Sequence, residues 1–298
     1  MTVISALTPN QIAGLSTTAI QGLSTTDIQS LKTTQVAALT AAQVNVLNST
    51  DIKAFFATQV AALSPSIINA LLSLQVQQFV DTQVSALTAT QISKLTAADF
   101  GTLSTTELQN LSTTQANALT ATQIGTLSTT VLNNLSTTQV GALSTTQVQG
   151  LTTTQLNGIN TTSLDALSVA KLTTAQVTGL TTTTFGNLTA TQVSTLTATE
   201  IAALSSGDLN QLTTTEISAF TAAQVGGLTS TQIGALSTPR FDAITSTTGI
   251  PAISVAAIAG LTTTEISSLS TTQGNAFTST QIGAMSIAQL DALITLVG

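Results

Sequence analysis

The chain of 298 residues has no cysteine, histidine, tryptophan or tyrosine, and only four prolines. Without cysteine there can be no disulfide, no zinc–thiolate centre and no thiol nucleophile. Without histidine the usual side chain for proton transfer near neutral pH is missing. Aromatic residues make up 3% and charged residues 6%, against about a quarter charged in an average soluble domain. The five basic residues (Lys32, Lys53, Lys94, Lys171 and Arg240) are scattered, and the net charge is −7. Nucleic-acid binding needs a basic face to neutralise phosphates, so a nucleic-acid partner is not expected. Ser and Thr interrupt every apolar stretch before it nears 18 residues, so no membrane span is expected. The start, MTVISALTPN, shows no basic region ahead of an apolar core, hence no Sec-type signal.

What the chain does contain is a repeat of eight residues. Leucines at 7, 15, 23, 31, 39 and 47 open a series that keeps its spacing to Leu167. A five-residue step leads to Leu172, and the octad resumes to Ile244. A nine-residue step leads to Ile253, and the series runs on to Leu293. All 37 anchors are Leu, Ile, Phe or Met. With the anchor as position 1, position 2 is nearly always Ser or Thr, and positions 3 and 4 are usually Thr or Ala. Position 5 is mostly Gln, Glu or Asp, position 6 mostly Ile, Val, Leu or Phe, and position 8 most often Ala or Gly; LSTTQVQG at 143–150 is representative.

Two architectures compete for this pattern. In a strand, positions 1 and 6 differ in parity and would face opposite ways; a bend within each octad would repair this and give a β-solenoid, favoured by the β propensity of Thr, Val and Ile. The helical reading explains more positions. An apolar residue, a Ser or Thr, two further residues, then Gln, Glu or Asp and a second apolar residue together make a hydrophobic staple around a capping box. In 103–108, Ser104 is the N-cap, Glu107 reaches back to its N–H, and Leu108 packs on Leu103. Asp27, Asp51, Asp99, Glu107, Glu200, Asp208, Glu216 and Glu265 all fall at position 5, in the first turn, where the helix dipole favours negative charge. The expectation is therefore an all-α solenoid, with one capped helix of about six residues per octad. Positions 1 and 6 would line its interior, small residues at position 8 would allow close approach, and Thr and Gln would cover the outside. Helices so short are unstable alone and must hold each other up through neighbouring turns.

Residues 1–298 then form a single solenoid with three irregularities. In 53–82, Phe56, Leu72 and Val80 replace the cap residue, and SPSIINALLSLQVQQFV (64–80) is unusually apolar. That predicts fusion of octads into a longer helix with a thicker core, or an exposed apolar patch. SVAK at 168–171 is a deletion that shifts the phase of the coil. Residues 238–257, with Pro239, Gly249 and Pro251, predict a loop or hinge.

No chemistry is legible. There is no G-x-S-x-G elbow, Walker A loop, G-x-G-x-x-G fingerprint or calcium-loop pattern, so no catalytic, cofactor-binding or metal-binding residue is assigned and no enzyme is expected. A ridge formed by Glu200, Asp208 and Glu216 is the one conceivable cation site, but capping explains these residues. Threonine rows such as Thr105/Thr113, Thr129/Thr137/Thr145/Thr153 and Thr181/Thr189/Thr197 read as a soluble surface, as a hydroxyl ladder for ice or polysaccharide, or as O-glycosylation sites. N-x-S/T sequons occur at Asn48, Asn110, Asn134, Asn160 and Asn187.

The octad, as in LTTTQLNG (151–158) and LTATQVST (188–195), resembles the Thr/Ala/Gln-rich tandem arrays of large bacterial secreted and surface proteins described as adhesin-like. That resemblance implies an extracellular structural or adhesive role. Neither terminus shows a polar capping segment, and the end of the sequence, MSIAQLDALITLVG, is apolar. Open, complementary ends give contacts that do not close. The expectation is a non-enzymatic, self-assembling filament or surface-fibre subunit at the cell surface. Its main partner would be itself, with surface polysaccharide as a further one. An adhesin or glycan-binding module and a passive stalk are the alternatives.

Overall fold

The computed structural model describes residues 3–71 and 73–298. Among them are thirty-three α-helices and four 3-10 helices and no strand. All the α-helices except the last, Ile287–Val297, are four to six residues long. The protein is an all-α tandem repeat, and the β-solenoid is excluded.

One octad shows why. In the helix Thr105–Asn110, the Glu107 N–H donates to Ser104 Oγ at 3.2 Å and the Ser104 N–H donates to Glu107 Oε2 at 2.7 Å. Both members of the capping box are thus made, and two orphan donors of the first turn are satisfied. At the other end the Leu111 N–H donates to Leu108 O at 3.3 Å, and Leu111 itself is extended (φ −60°, ψ 129°). Ser112, the next N-cap, is extended too (φ −64°, ψ 159°). Two extended residues therefore turn the corner between helices. No described residue has a positive φ, so no corner needs glycine for its backbone angles.

The chain forms two compact units, Met1–Leu167 and Ser168–Gly298, which meet in sequence at the SVAK step. Within each, a helix packs on the third helix after it: Pro9–Ala13 on Thr33–Val36 and Thr25–Ser30 on Ser49–Ala54 in the first, Thr174–Thr178 on Ala198–Ala203 in the second. Packed helices thus stand three octads apart, and the side-chain hydrogen bonds between turns reach slightly further, across 25 to 31 residues. Position 6 lines the interior most completely: Ile12, Val36, Ile92, Ile124, Phe185 and Ile233 are fully buried. The position-1 anchors sit slightly further out, with Leu103 7% and Leu188 5% exposed.

The irregularities resolve locally. Residues 53–82 do not fuse into a longer helix: Ala57–Ala62, Pro65–Ala70, Ser73–Val76 and Asp81–Ser85 remain separate. Extended anchors such as Leu63 and Leu71 still stop each helix, and the backbone N–H of Phe56 and of Val80 is still capped by Gln59 and Gln83. The core does thicken, because both Ile67 and Ile68 are buried. Leu72 lies outside the described residues. The five-residue step holds one 3-10 turn, Val169–Lys171, between two buried anchors. Within residues 238–257 a loop, 243–249, joins the helix Thr238–Asp242 to the next element. Thr245 O accepts the N–H groups of Gly249 (3.1 Å) and Ile250 (2.8 Å), and the 3-10 helices Ile250–Ala252 and Val255–Gly260 follow. Phe241, Ile244, Ile250 and Ile258 are fully buried. Burial of these apolar residues anchors the segment on both sides of its prolines.

Glycine at position 8 serves close approach between turns. A Cβ on Gly150 would lie 2.6 Å from Ala121 O, and one on Gly260 would collide with Ser230 O. Gly150→Ala and Gly260→Ala should therefore each destabilise the fold by about 1–3 kcal/mol through overpacking against backbone. Gly283→Ala, where nothing lies within reach, should be neutral. Urea unfolding of the three variants checks this.

Candidate functional site

The eight carboxylates that the sequence places at position 5 all accept their own N-cap N–H, from Asp27 on Ser24 (3.1 Å) to Glu265 on Thr262 (2.7 Å). Glu200, Asp208 and Glu216 are each turned onto the cap of their own octad. No cluster of three or more acidic side chains that could hold a metal ion occurs among the described residues.

Position 5 has a second role when it is glutamine, and this role was not read from the sequence. Gln139 Oε1 accepts the Ser136 N–H at 2.7 Å, completing the cap. Its Nε2 donates across to the preceding turn, to Leu108 O at 2.7 Å and Leu111 O at 2.6 Å. Those carbonyls belong to the end of an earlier helix, where backbone acceptors lack helical partners. The same pair of bonds, to residues 31 and 28 positions earlier, recurs at Gln35, Gln43 and Gln91 in the first unit and at Gln224, Gln232, Gln281 and Gln289 in the second. These side chains are buried (Gln35 1%, Gln43 2%, Gln281 1% exposed), so the glutamines of position 5 largely face inward, while others such as Gln109 and Gln149 lie outside as expected. A signal was available. A carboxylate caps as well as an amide and suits the helix dipole better, yet position 5 holds nineteen Gln against eight acids. The excess marks a need for a donor.

Exceptions are compensated. Arg240 occupies position 5 and donates from Nε to Leu212 O at 2.6 Å, keeping one bond between turns, but it cannot accept the Ser237 N–H. Asn210, 27 residues earlier, does so with Oδ1 (3.0 Å), while its Nδ2 donates to Ala235 O (2.7 Å). Where position 5 is Ser163, the Asn160 N–H donates to Asn133 Oδ1 (2.8 Å) and Asn133 Nδ2 donates to Gly158 O (3.3 Å).

A carboxylate at position 5 has no proton to give to the earlier turn. Glu265 shows the consequence. Its Oε2 accepts from the Thr262 N–H (2.7 Å) and Oγ (2.8 Å), whereas the buried Oε1 has no partner. Burial, reinforced by nearby Asp242, pushes its pKa above the ordinary carboxyl value. Asp27 moves the other way, held down by the Ser24 hydroxyl and N–H.

The threonine rows are exposed at Thr105, Thr113, Thr137, Thr145 and Thr153. A row of eight-residue spacing steps from one helix to the next around the coil, whereas threonines three octads apart, such as Thr113 and Thr137, lie on helices that pack on each other. Among the sequons, Asn48 and Asn160 serve as N-caps, while Asn110 and Asn187 are exposed and Asn134 is half-buried. No helix among the described residues is long and apolar enough to cross a membrane.

Two outcomes follow for the seam. Gln139→Glu keeps the cap acceptor and removes both donors to the earlier turn; it should cost about 2–3 kcal/mol at neutral pH and recover on acidification, whereas Gln139→Leu should stay destabilised throughout. Urea titrations at several pH values distinguish them. At Glu265 the folded-state pKa is raised, so the folded state holds the proton more tightly. Its contribution is complete below the unfolded value and is lost as pH rises through the folded value. Stability should fall over that window, and Glu265→Gln should flatten the dependence and raise the melting temperature at neutral pH.

The ALTTAQ repeat model matches residues 4–41, 94–129, 124–153 and 201–238, and the chain is a tandem-repeat protein similar to that family over these stretches. No curated protein matches the chain. Among solved structures, the leucine-rich repeat-containing protein LegL7 from Legionella pneumophila is similar at 12% identity, over 95% of this chain and 88% of that one, with a TM-score of 0.21.

Proposed function

We propose that the protein is a non-enzymatic structural component that self-assembles into a filament or surface fibre outside the cell. The observation that carries this reading is the outer face of the helix Ile287–Val297. Ile287 is 82% exposed and Ile294, two turns on, is 56% exposed, with Leu290 and Val297 half-buried on the same stripe. Large exposed apolar side chains are otherwise few among the described residues: Phe56, Val80 and Val255. Spacing of three and four along a helix places such residues on one face, and a stripe of this kind on an otherwise hydroxyl-covered surface marks an interaction site.

Two further features support self-association. The bonds between turns are made by groups that every octad carries, so one turn is a template for the next. The surface is low in charge, so little repulsion opposes assembly of identical copies. The extracellular location is proposed on the resemblance of the octad, as in LTTTQLNG (151–158), to the tandem arrays of secreted and surface proteins.

Purified protein should form elongated particles as concentration rises, seen by light scattering and electron microscopy. Ile287→Ser and Ile294→Ser together should suppress them with little change in melting temperature. A wild-type protein that stays monomeric across concentration and salt would sink the reading.

A further inference from the structure

The α-helical N-caps lacking a hydroxyl or amide side chain are, among the described residues, Lys32, Phe56 and Val80. They are 24 residues apart, and their helices, Thr33–Val36, Ala57–Ala62 and Asp81–Ser85, pack in succession. Three missing caps thus stand in one column across three successive turns. Phe56 is 53% exposed and Val80 39%, and Lys32 is exposed. Lys53, exposed at the end of Ser49–Ala54, lies three residues before Phe56. At most other N-caps, such as Ser104 and Ser112, the side chain accepts a hydrogen bond from its own helix. Here that local stabilisation is replaced by apolar and cationic side chains facing solvent.

We infer that the Lys32–Phe56–Val80 column is the docking surface for the helix Ile287–Val297 of a second copy of the chain. Spacing, polarity and charge argue for that occupant. Packed helices lie about 8–10 Å apart, which sets the separation of Phe56 from Val80; Ile287 and Ile294, seven residues apart on one helix, are separated by about 10 Å. With Ile287 against Val80 and Ile294 against Phe56, exposed Asp291 comes beside Lys53. The carbonyl end of the helix, where the dipole is negative, points toward Lys32. The reverse orientation would set that negative end near Asp81, which follows Val80. The column joins two cations and an aromatic residue on a chain of net charge −7, so it complements another copy better than most of that copy's surface complements itself. The two surfaces differ, so the contact is heterologous and propagates without closing.

This inference rests on the self-assembly reading and names its contact. The test uses the absence of cysteine. Phe56→Cys and Ile294→Cys proteins, mixed and mildly oxidised, should give a disulfide-linked heterodimer, whereas Val255→Cys mixed with either should not. Phe56→Ser with Val80→Thr restores two caps, so the melting temperature should hold or rise while the concentration needed for assembly increases by about tenfold or more. Lys53→Asp should weaken assembly, and Asp291→Lys in the same chain should restore it. If wild-type protein assembles and the Phe56→Ser/Val80→Thr variant assembles equally well, the inference is overturned and the self-assembly reading stands. If wild-type protein does not assemble, both fall. If Phe56→Ser abolishes assembly while Ile294→Ser leaves it intact, the column has another occupant and the pairing is overturned.

Discussion

The buried amide of the position-5 glutamine is the interaction on which the solenoid depends. Each helix is too short to be stable by itself, and each ends in carbonyls with no partner inside the helix. One side chain meets both needs: its oxygen accepts from the cap of its own octad, and its nitrogen donates to two carbonyls of the turn before. Local capping and cohesion between turns therefore share one residue. Loss of the amide removes the bond to the earlier turn, and loss of any acceptor there removes the cap as well, unless a neighbour such as Asn133 or Asn210 supplies part of the geometry.

This arrangement explains the composition. Cohesion rests on a neutral donor, so few charges are required. Burial is shared among small aliphatic residues at positions 1 and 6, so few aromatics are required either. Glycine or alanine at position 8 lets backbone meet backbone, as Gly150 meets Ala121. Carboxylates at position 5 keep the cap and forgo the bond to the earlier turn, and Glu265 carries the cost as a buried oxygen without a partner. Stability is then a matter of nearest turns, as in other repeat architectures, and a single octad can weaken its own seam without unmaking the rest.

The surface obeys the same economy. Hydroxyl caps satisfy their helices and leave little for another molecule to grip. The exceptions are concentrated in two places, the Lys32–Phe56–Val80 column and the stripe from Ile287 to Ile294. Both expose apolar area where the repeat elsewhere offers a polar group, and their charges are opposite in sign. The proposed self-assembly would use these two surfaces.

Much of the fold was legible from residues 7 to 293. Helix type, helix length near six, the Ser and Thr caps and the capping role of all eight position-5 carboxylates follow from contacts within one octad, because a capping box closes between residues three apart. The same local rules misread residues 53–82, where separate helices persist because extended anchors stop them. The packing of each helix on the third after it, the burial of glutamine and the placing of Lys32, Phe56 and Val80 on packed helices were decided only in three dimensions. Each joins residues two dozen or more apart, and an eight-residue period does not say how many octads close a turn; the packing of one coil on the next does.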